Sequence, residues 1–501
     1  SLSLTGSGRK RLVTSAPNNG PPTRLGLDGC VVQLDDERVL RIVIRGWYRE
    51  IRLPQIIGQR AVVIGAGIAG LAAARALADS FAQILILERD KLIQDAAPRI
   101  GVPQGKQPHA LLVGGLRALT DQFPNFLDRF LKSGAVAYDY SKARWEIGGF
   151  DPLPQRDLGI PIYSASRPLI EFAVREELKQ IHNVTLQEQS RVEGLTLSES
   201  GAINGARHSA PGGVVHTVSA DLIVDASGRG VPTLKLLDAI GCAHPDTTSI
   251  GINIDYSTAI FAKPKDAPSD WLLLATLPNA PKERHGGLIM PIEGNRWMVT
   301  MSARHPQSPP PATDAEFLAH AQGLRTKTLF NAIQNAERIT AITRHRFTGS
   351  VRVHWERLSS LPRGLLLLGD AACHFNPLFG QGMTAAAQQA VVLKRLLATA
   401  ADESDPLGWL QPIYFKKLAE VLEAPWSVAV SDLIYPETTG ARPETFERSM
   451  QFAAGLMRLA VQDPEIHKLM TEVQQLLKPP SVYNDPELHR RIAQVMSMPS
   501  A

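Results

Sequence analysis

The clearest pattern of apolar and polar positions in this chain lies at residues 61–70, AVVIGAGIAG. Residues 61–64 are an unbroken run of small and β-branched apolar side chains, the pattern of a strand buried on both faces in a parallel sheet. Glycines follow at 65, 67 and 70, and residues 71–78, LAAARALA, predict a helix rich in the strongest helix former. A second apolar strand at 84–87 ends at Glu88. From Pro98 a Pro/Gly loop leads into a helix predicted to begin near Pro108. Short strands follow at 145–147 and 161–165. A helix opens at Arg167, with Leu169, Phe172, Ala173, Val174 and Leu178 on its apolar face. Strands are predicted at 184–188, 191–197 and 220–226, the last ending in Ser227-Gly228-Arg229-Gly230.

The rhythm changes over residues 247–358, where apolar and polar positions alternate in long strands and Glu293-Gly294-Asn295 supplies a hairpin turn. This predicts an antiparallel sheet, covered by a helix at 314–322. Residues 364–368, GLLLL, return to the buried-strand pattern, and a helix is predicted over 384–401. Residues 406–501 carry only helical patterns, at 410–433, 443–462 and 464–477, with prolines between them. Residues 30–53 alternate weakly and suit a small hairpin.

Composition narrows the class. The chain has 501 residues, 44% hydrophobic and 20% charged, as in ordinary globular proteins long enough for two or three domains. The net charge of +4 is small for this length and no basic run is interleaved with aromatics, which argues against a nucleic-acid partner. Cys30, Cys242 and Cys373 share no metal or redox spacing, so a reducing, cytoplasmic setting without a disulfide framework or metal is expected. The longest stretch free of formal charge, 371–393, contains His374, Asn376, Pro377 and three glutamines, and reads as a loop and a buried helix rather than a span. Residues 1–27 have no Asp or Glu and carry Arg9, Lys10, Arg11 and Arg24. A disordered extension and a cleaved targeting segment both fit that composition.

The candidate chemistry begins at the glycines. Gly65 allows the tight turn out of the strand, Gly67 lets a pyrophosphate approach the backbone, and Gly70 lets the helix pack on the sheet. The N–H groups at the helix start face the phosphates. Glu88 lies 18 residues past Gly70, where an acid that binds a ribose is expected. It fits the free 2′-OH of FAD or NAD; an NADP 2′-phosphate is repelled by Glu88 and attracted by the adjacent Arg89. Asp225 and Asp370 each end a buried strand, where ligands of open α/β sheets sit, and a carboxylate there can bind the hydroxyls of a ribityl chain. For Asp225 a role as helix cap stands as an equal alternative. After Asp370, Pro377, Gly380, Gln381 and Gly382 lead into another helix start that can stabilise a negatively charged reduced flavin. Cys373 in this loop has no base placed beside it and reads as packing. His109 is open to a functional or a structural role.

At these residues the chain resembles a known family. GAGIAG at 65–70, DASGRG at 225–230 and GDAACHFNPLFGQGMTAA at 369–386 are similar to the three signatures of class A FAD-dependent monooxygenases, which share the p-hydroxybenzoate hydroxylase fold. GVPQGKQPHALL at 101–112 and RVHWERLSSLPRGLLLLGDA at 352–371 resemble a subgroup of FAD epoxidases and hydroxylases acting on bulky natural products. The resemblance spans roughly residues 59–490. It implies an α/β fold with a Rossmann-like FAD-binding domain (59–145, 166–245 and 359–404), an inserted antiparallel substrate domain (146–165 and 246–358) and a helical region (405–501), preceded by an extension over 1–58. It implies FAD contacts at Gly65, Ala66, Gly67, Ile68, Ala69, Gly70, Glu88, Arg89, Arg167, Asp370, Gly382 and Met383, and at Asp225 for both FAD and NAD(P)H.

The implied chemistry is reduction of the flavin by NAD(P)H, addition of dioxygen as a C4a-hydroperoxide, and transfer of its distal oxygen to a substrate that is hydroxylated or epoxidised. Residues Pro377, Gly380, Gln381 and Gly382 are expected beside the isoalloxazine, with no single acid or base assigned. An apolar or aromatic substrate is expected between the sheet and the flavin, facing Phe375 and Phe379. Trp297 is weighed as a further contact but fits sheet core better. Few basic residues cluster in the strands, which favours an uncharged substrate. Two other redox readings remain. One is a halogenase, although no Trp-x-Trp-x-Ile-Pro element is present; the other is a prenyl reductase. A non-catalytic lipid- or pigment-binding flavoprotein is the alternative of another class.

Overall fold

The computed structural model describes residues 55–497, apart from residues 110, 149, 151, 307 and 308, and the backbone of four strands between residues 25 and 52. Those strands, Leu25–Leu27, Cys30–Asp35, Val39–Ile44 and Trp47–Arg52, pair antiparallel in chain order. They belong to a unit of their own, distinct from residues 56–501. The small hairpin expected over 30–53 is thus a four-stranded meander; of residues 1–27, weighed as an extension or targeting segment, 25–27 form its first strand and 1–24 lie outside the described residues.

The second unit is built on a five-stranded parallel sheet in the order Val184–Gln187, Phe81–Leu87, Gly58–Ile64, Leu222–Asp225, Leu365–Leu367. Burial on both faces explains the unbroken apolar runs: Ala61, Val62, Val63 and all of Leu222–Asp225 are sealed from solvent. Register brings Asp225 opposite Ile64 on one side and Leu367 on the other, so three turns leave the same edge of the sheet side by side. The helix Ile68–Leu77 follows the first strand and packs against the helix Gly382–Ala400 that follows the last. Its closeness depends on Gly70. A Cβ built there would lie 1.8 Å from the Gly65 carbonyl oxygen.

A seven-stranded sheet carries the alternating sequence. Its order is Cys373–His374, Thr343–Val353, Thr247–Ala262, Arg296–Arg304, His285–Ile292, Leu273–Leu277, Ala143–Ile147, antiparallel except for the last pair. One face packs Phe261, Trp297, Val299 and Met301 against the helices Asp314–Gly323 and Thr328–Ile333. The first of these helices is started by a reciprocal Thr313–Glu316 capping box. The other face presents Ile254, Tyr256 and Phe347 to Leu378 in the turn that follows the parallel sheet. The helices Pro406–Val430, Phe446–Gln462, Pro464–Gln474 and Pro486–Ser497 complete the unit, and the last three share a core of Leu456, Leu459, Met470, Leu488 and Ile492.

One helix start differs from expectation. The helix placed near Pro108 begins at Val113 and runs to Gln122, after a short 3-10 turn at Pro103–Lys106. Its cap comes from far along the chain. Val113 N donates to Gln475 Oε1 at 3.1 Å and Gly114 N to the Gln475 carbonyl at 2.9 Å. Local sequence carries no signal of such a cap.

The fit at Gly70 makes a prediction about folding. Gly70→Ala forces the helix Ile68–Leu77 off the Gly65 turn, with a stability loss of about 3 kcal/mol from overpacking against backbone that has no rotamer to yield. Urea unfolding with loss of less than a third of that would mean the helix moves freely.

Candidate functional site

A cavity of about 680 Å3 opens at the shared edge of the parallel strands. Gly65, Gly67, Ile68 and Ala69 line it from the first turn, and Glu88 and Arg89 from the end of the second strand. Arg167 reaches it from the start of the helix Arg167–Leu178. Asp370, Pro377, Gly380, Gln381, Gly382 and Met383 close the opposite side. Elements hundreds of residues apart in sequence therefore meet in one space. Ala66 and Gly70 lie behind this surface, Ala66 as the donor to Glu88 and Gly70 in the helix–strand contact.

Gly65 adopts φ +96°, a left-handed conformation that turns the chain sharply out of the strand. Gly67 and Gly382 have no heavy atom within 4 Å of the position a Cβ would take, so each leaves open space facing the cavity. The N–H groups of Gly382, Met383 and Thr384 begin the helix Gly382–Ala400 and have no carbonyl one turn earlier to receive them. Together with the aligned peptide dipoles they favour negative charge at this end of the cavity.

Glu88 is 4% exposed. Its Oε2 accepts from Ala66 N at 2.6 Å, and its Oε1 from Asp90 N at 2.9 Å. Arg99, which the sequence reading did not single out, lies 3.2 Å from Glu88 Oε1, 2.9 Å from Asp90 Oδ2 and 2.7 Å from Glu171 Oε1. Burial opposes its charge, but the carboxylates of Glu171 and Glu88 outweigh burial and hold the guanidinium firmly protonated. Arg99 thus locks the acid and the loop after it together. Oε2 of Glu88 keeps one lone-pair direction free for a hydroxyl.

Asp370 accepts no hydrogen bond from any other described residue, and its charge acts on Arg167. Burial lowers the pKa of Arg167, against the attraction of Glu171 and Asp370. Asp225 has a different position from the other two acids. It is fully buried and does not line the cavity. Its Oδ1 accepts from Ser227 N at 3.0 Å, and its Oδ2 from Thr233 N at 3.3 Å and Thr233 Oγ1 at 2.7 Å. Gly230, not Asp225, holds the N-cap position of the helix Val231–Ala239; Asp225 accepts from Thr233 in its first turn and so closes the turn before it.

The far wall of the cavity belongs to the seven-stranded sheet. His345, Arg346, Phe347 and His374 line it from strands, joined by Phe375 just past the edge strand and by His109 from the loop before the helix Val113–Gln122. Arg346 is held by Asp255 through two bonds of 2.6 and 2.7 Å. His109 donates or accepts at Nδ1 with the Gln107 carbonyl at 2.8 Å; since a carbonyl only accepts, Nδ1 carries the proton and Nε2 is an acceptor. Burial, helped by the charge of Arg167, pushes the His109 pKa down to about 3. Burial and His374 lower that of His345. The wall is more polar than the strand composition suggests, but His109 and His345 are held neutral. Trp297 is not part of it. It stacks on Trp271 on the opposite face, with ring centroids 5.9 Å apart. Phe379 does not line the cavity either, and Cys373 is buried, with burial raising its thiol pKa.

Several buried polar atoms around this space have no protein partner: Arg167 Nε, Ser227 Oγ and Gln381 Oε1, with Thr384 Oγ1 just behind. Leaving such groups unmatched is costly, so the set fits a ligand with many donors and acceptors. A dinucleotide flavin fits this donor set: glycine turn and Glu88 for its adenosine half, Asp370 and Arg167 for the ribityl and phosphates, and the helix start at Gly382 for the ring. Filling the open space at Gly67 is therefore expected to remove binding and spare the fold. Gly67→Trp should show no quenching of added FAD fluorescence while its melting temperature stays within about 2 °C of wild type, as for a substitution that touches nothing. Retained FAD binding would place the cofactor elsewhere.

Comparison with known proteins agrees with this geometry. The family described as FAD binding domain matches residues 161–408. Protein Rv3254 of Mycobacterium tuberculosis is 30% identical over 349 residues, which cover 67% of this chain and 72% of that protein. Digeranylgeranylglycerophospholipid reductase 2 of Methanopyrus kandleri is 24% identical over 69% of this chain and 78% of its own length. Among solved structures, the flavin-dependent brominase Bmp2 covers 87% of this chain and 99% of its own at a TM-score of 0.60 and 16% identity. PqsL, a probable FAD-dependent monooxygenase from Pseudomonas aeruginosa, covers 75% of this chain and 96% of its own at a TM-score of 0.54 and 16% identity. These two share the fold. On the extent of its match to the mycobacterial protein, and with the FAD-binding signature over residues 161–408, the chain belongs to the FAD-binding-domain family.

Proposed function

We propose that this protein is an FAD-dependent monooxygenase that uses NAD(P)H and dioxygen to hydroxylate or epoxidise an apolar or aromatic small molecule. One observation carries the reading: the cavity runs without interruption from the glycine turn at Gly65 to the sheet wall at His345 and Phe347, with the turn Pro377–Gly382 between them. The cavity thus offers a cofactor and a second small molecule one continuous space. Bound FAD supplies hydride acceptance and oxygen activation there.

The chain's own residues do the remaining work. The helix start at Gly382 offers N–H groups to charge that develops at the end of the cavity nearest the sheet. Phe347 and Phe375 give an apolar surface for a planar substrate. His109 and His345 hold no positive charge at neutral pH, and Arg346 is neutralised by Asp255, so the wall does not select an anion. Ile254, Tyr256 and Leu378 pack behind the same wall and give it an apolar backing.

A reductase acting on a prenyl chain is the second reading, favoured by the name of the archaeal relative. The flavin-dependent halogenase reading rests on fold alone. Oxygen consumption separates them. FAD-loaded protein reduced anaerobically by NADH or NADPH should reoxidise in air. With a substrate from an aromatic or polyene panel it should consume one dioxygen per product and add a single oxygen atom to it. Saturation of an alkene without oxygen uptake would establish the reductase instead, and a product formed only with halide would establish the halogenase.

A further inference from the structure

Asn376 precedes Pro377 in the turn beside the proposed flavin site, and it is fully buried. Its side chain is used at both ends. Nδ2 donates to Asp432 Oδ2 at 2.8 Å. Oδ1 accepts from Tyr256 Oη at 2.9 Å and from Leu378 N at 3.1 Å. Its backbone N–H donates to Ser350 Oγ at 3.0 Å. Asp432 is 1% exposed and lies in the 3-10 turn Ser431–Ile434, just past the long helix Pro406–Val430. Its other oxygen is paired with Arg304 of the seven-stranded sheet, whose guanidinium sits 4.9 Å over the Tyr435 ring.

The chemistry of the partners fixes the orientation of this amide. Leu378 offers only an N–H, so it requires an oxygen. The ionised Asp432, facing Arg304, offers only acceptors, so it requires a donor. Asn is the one side chain of this size that presents both. Aspartate at 376 sets two carboxylates face to face in a buried place, and leucine removes the side-chain bonds to Asp432, Tyr256 and Leu378. One carboxylate on the C-terminal region therefore determines which way Asn376 points, and Asn376 in turn holds the first residues of the Pro377–Phe379 turn.

We propose that Asp432 is a positioning residue for the flavin-side turn, acting through Asn376 to hold Pro377–Gly382 in the conformation that contacts the ring of bound FAD. The C-terminal helical region is then a working part of the cofactor site and not only a cover. This inference rests on the FAD reading above, and its test separates the two.

The experiment is a swap, measured on full-length protein by three readouts: melting temperature without FAD, FAD affinity by fluorescence quenching, and the visible spectrum of the bound flavin. Asn376→Asp alone sets two buried carboxylates against each other, and Asp432→Asn alone has one amide oxygen for two donors, so its NH2 faces either Asn376 Nδ2 or Arg304. Each should weaken FAD binding by about tenfold or more, as loss of a buried charge-assisted hydrogen bond does, and alter the shape of the flavin band. The double variant N376D/D432N restores the pattern with roles exchanged: the amide of residue 432 donates to the carboxylate of residue 376, which still accepts from Leu378 and Tyr256. It should recover most of the affinity and the wild-type band shape. If both single variants fail to fold, the double variant must still fold and bind FAD. Single variants with wild-type affinity and spectrum overturn the proposal, and so does a double variant no better than the worse single. A wild-type protein that binds no FAD removes the FAD reading itself, whereas tight wild-type binding with indifferent variants removes only the role of Asp432.

Discussion

A polar group buried without a partner is a standing cost, and around the cavity of this protein several such groups point into the same space. Arg167 Nε, Ser227 Oγ and Gln381 Oε1 have no protein partner, and Asp370 accepts no hydrogen bond among the described residues. Other buried polar side chains at or beside this cavity do have partners in the protein. Asp225 is satisfied by three donors from its own turn, Glu88 by two backbone N–H groups and a guanidinium, and Asn376 by four partners. The unpartnered groups that share this one space are the ones a bound ligand could satisfy together.

The fold exists to bring these groups to one edge. Parallel pairing places three strand ends side by side, and each contributes a turn. The tight Gly65–Gly70 contact sets the height of the first helix over the sheet, which sets where its N–H groups point. The antiparallel sheet then closes the far side, and the turn at 431–434 ties the sheet to the flavin-side turn through Asp432. The flavin-side turn, the sheet wall of the cavity and the helical region are thereby linked through direct contacts.

Much of this was legible in the chain because it is local. The strand–glycine–helix–acid order at 58–88 and the aspartate-to-helix segment at 370–400 state their geometry within a few residues, since spacing and backbone freedom decide it. Strand alternation also announced the antiparallel sheet. It did not say which face meets the cofactor. A one-residue shift exchanges the faces, and so Trp297 and His345, both on alternating strands, end on opposite sides. Arg99 with Glu171 and the cap from Gln475 onto Val113 were invisible for another reason. They join residues 72 and 362 positions apart, and no periodicity carries such pairings. The histidine wall combines both difficulties, with His109 on a loop and His345 on a strand.

The central claim is that the cavity holds one FAD per chain. The measurement that tests it most directly is equilibrium dialysis of the purified protein, stripped of bound small molecules, against FAD, with bound flavin counted by its absorbance. The account predicts saturation at one flavin per chain and a bound flavin whose spectrum differs from that of free FAD. No saturable binding, or binding that leaves the spectrum unchanged, would contradict it.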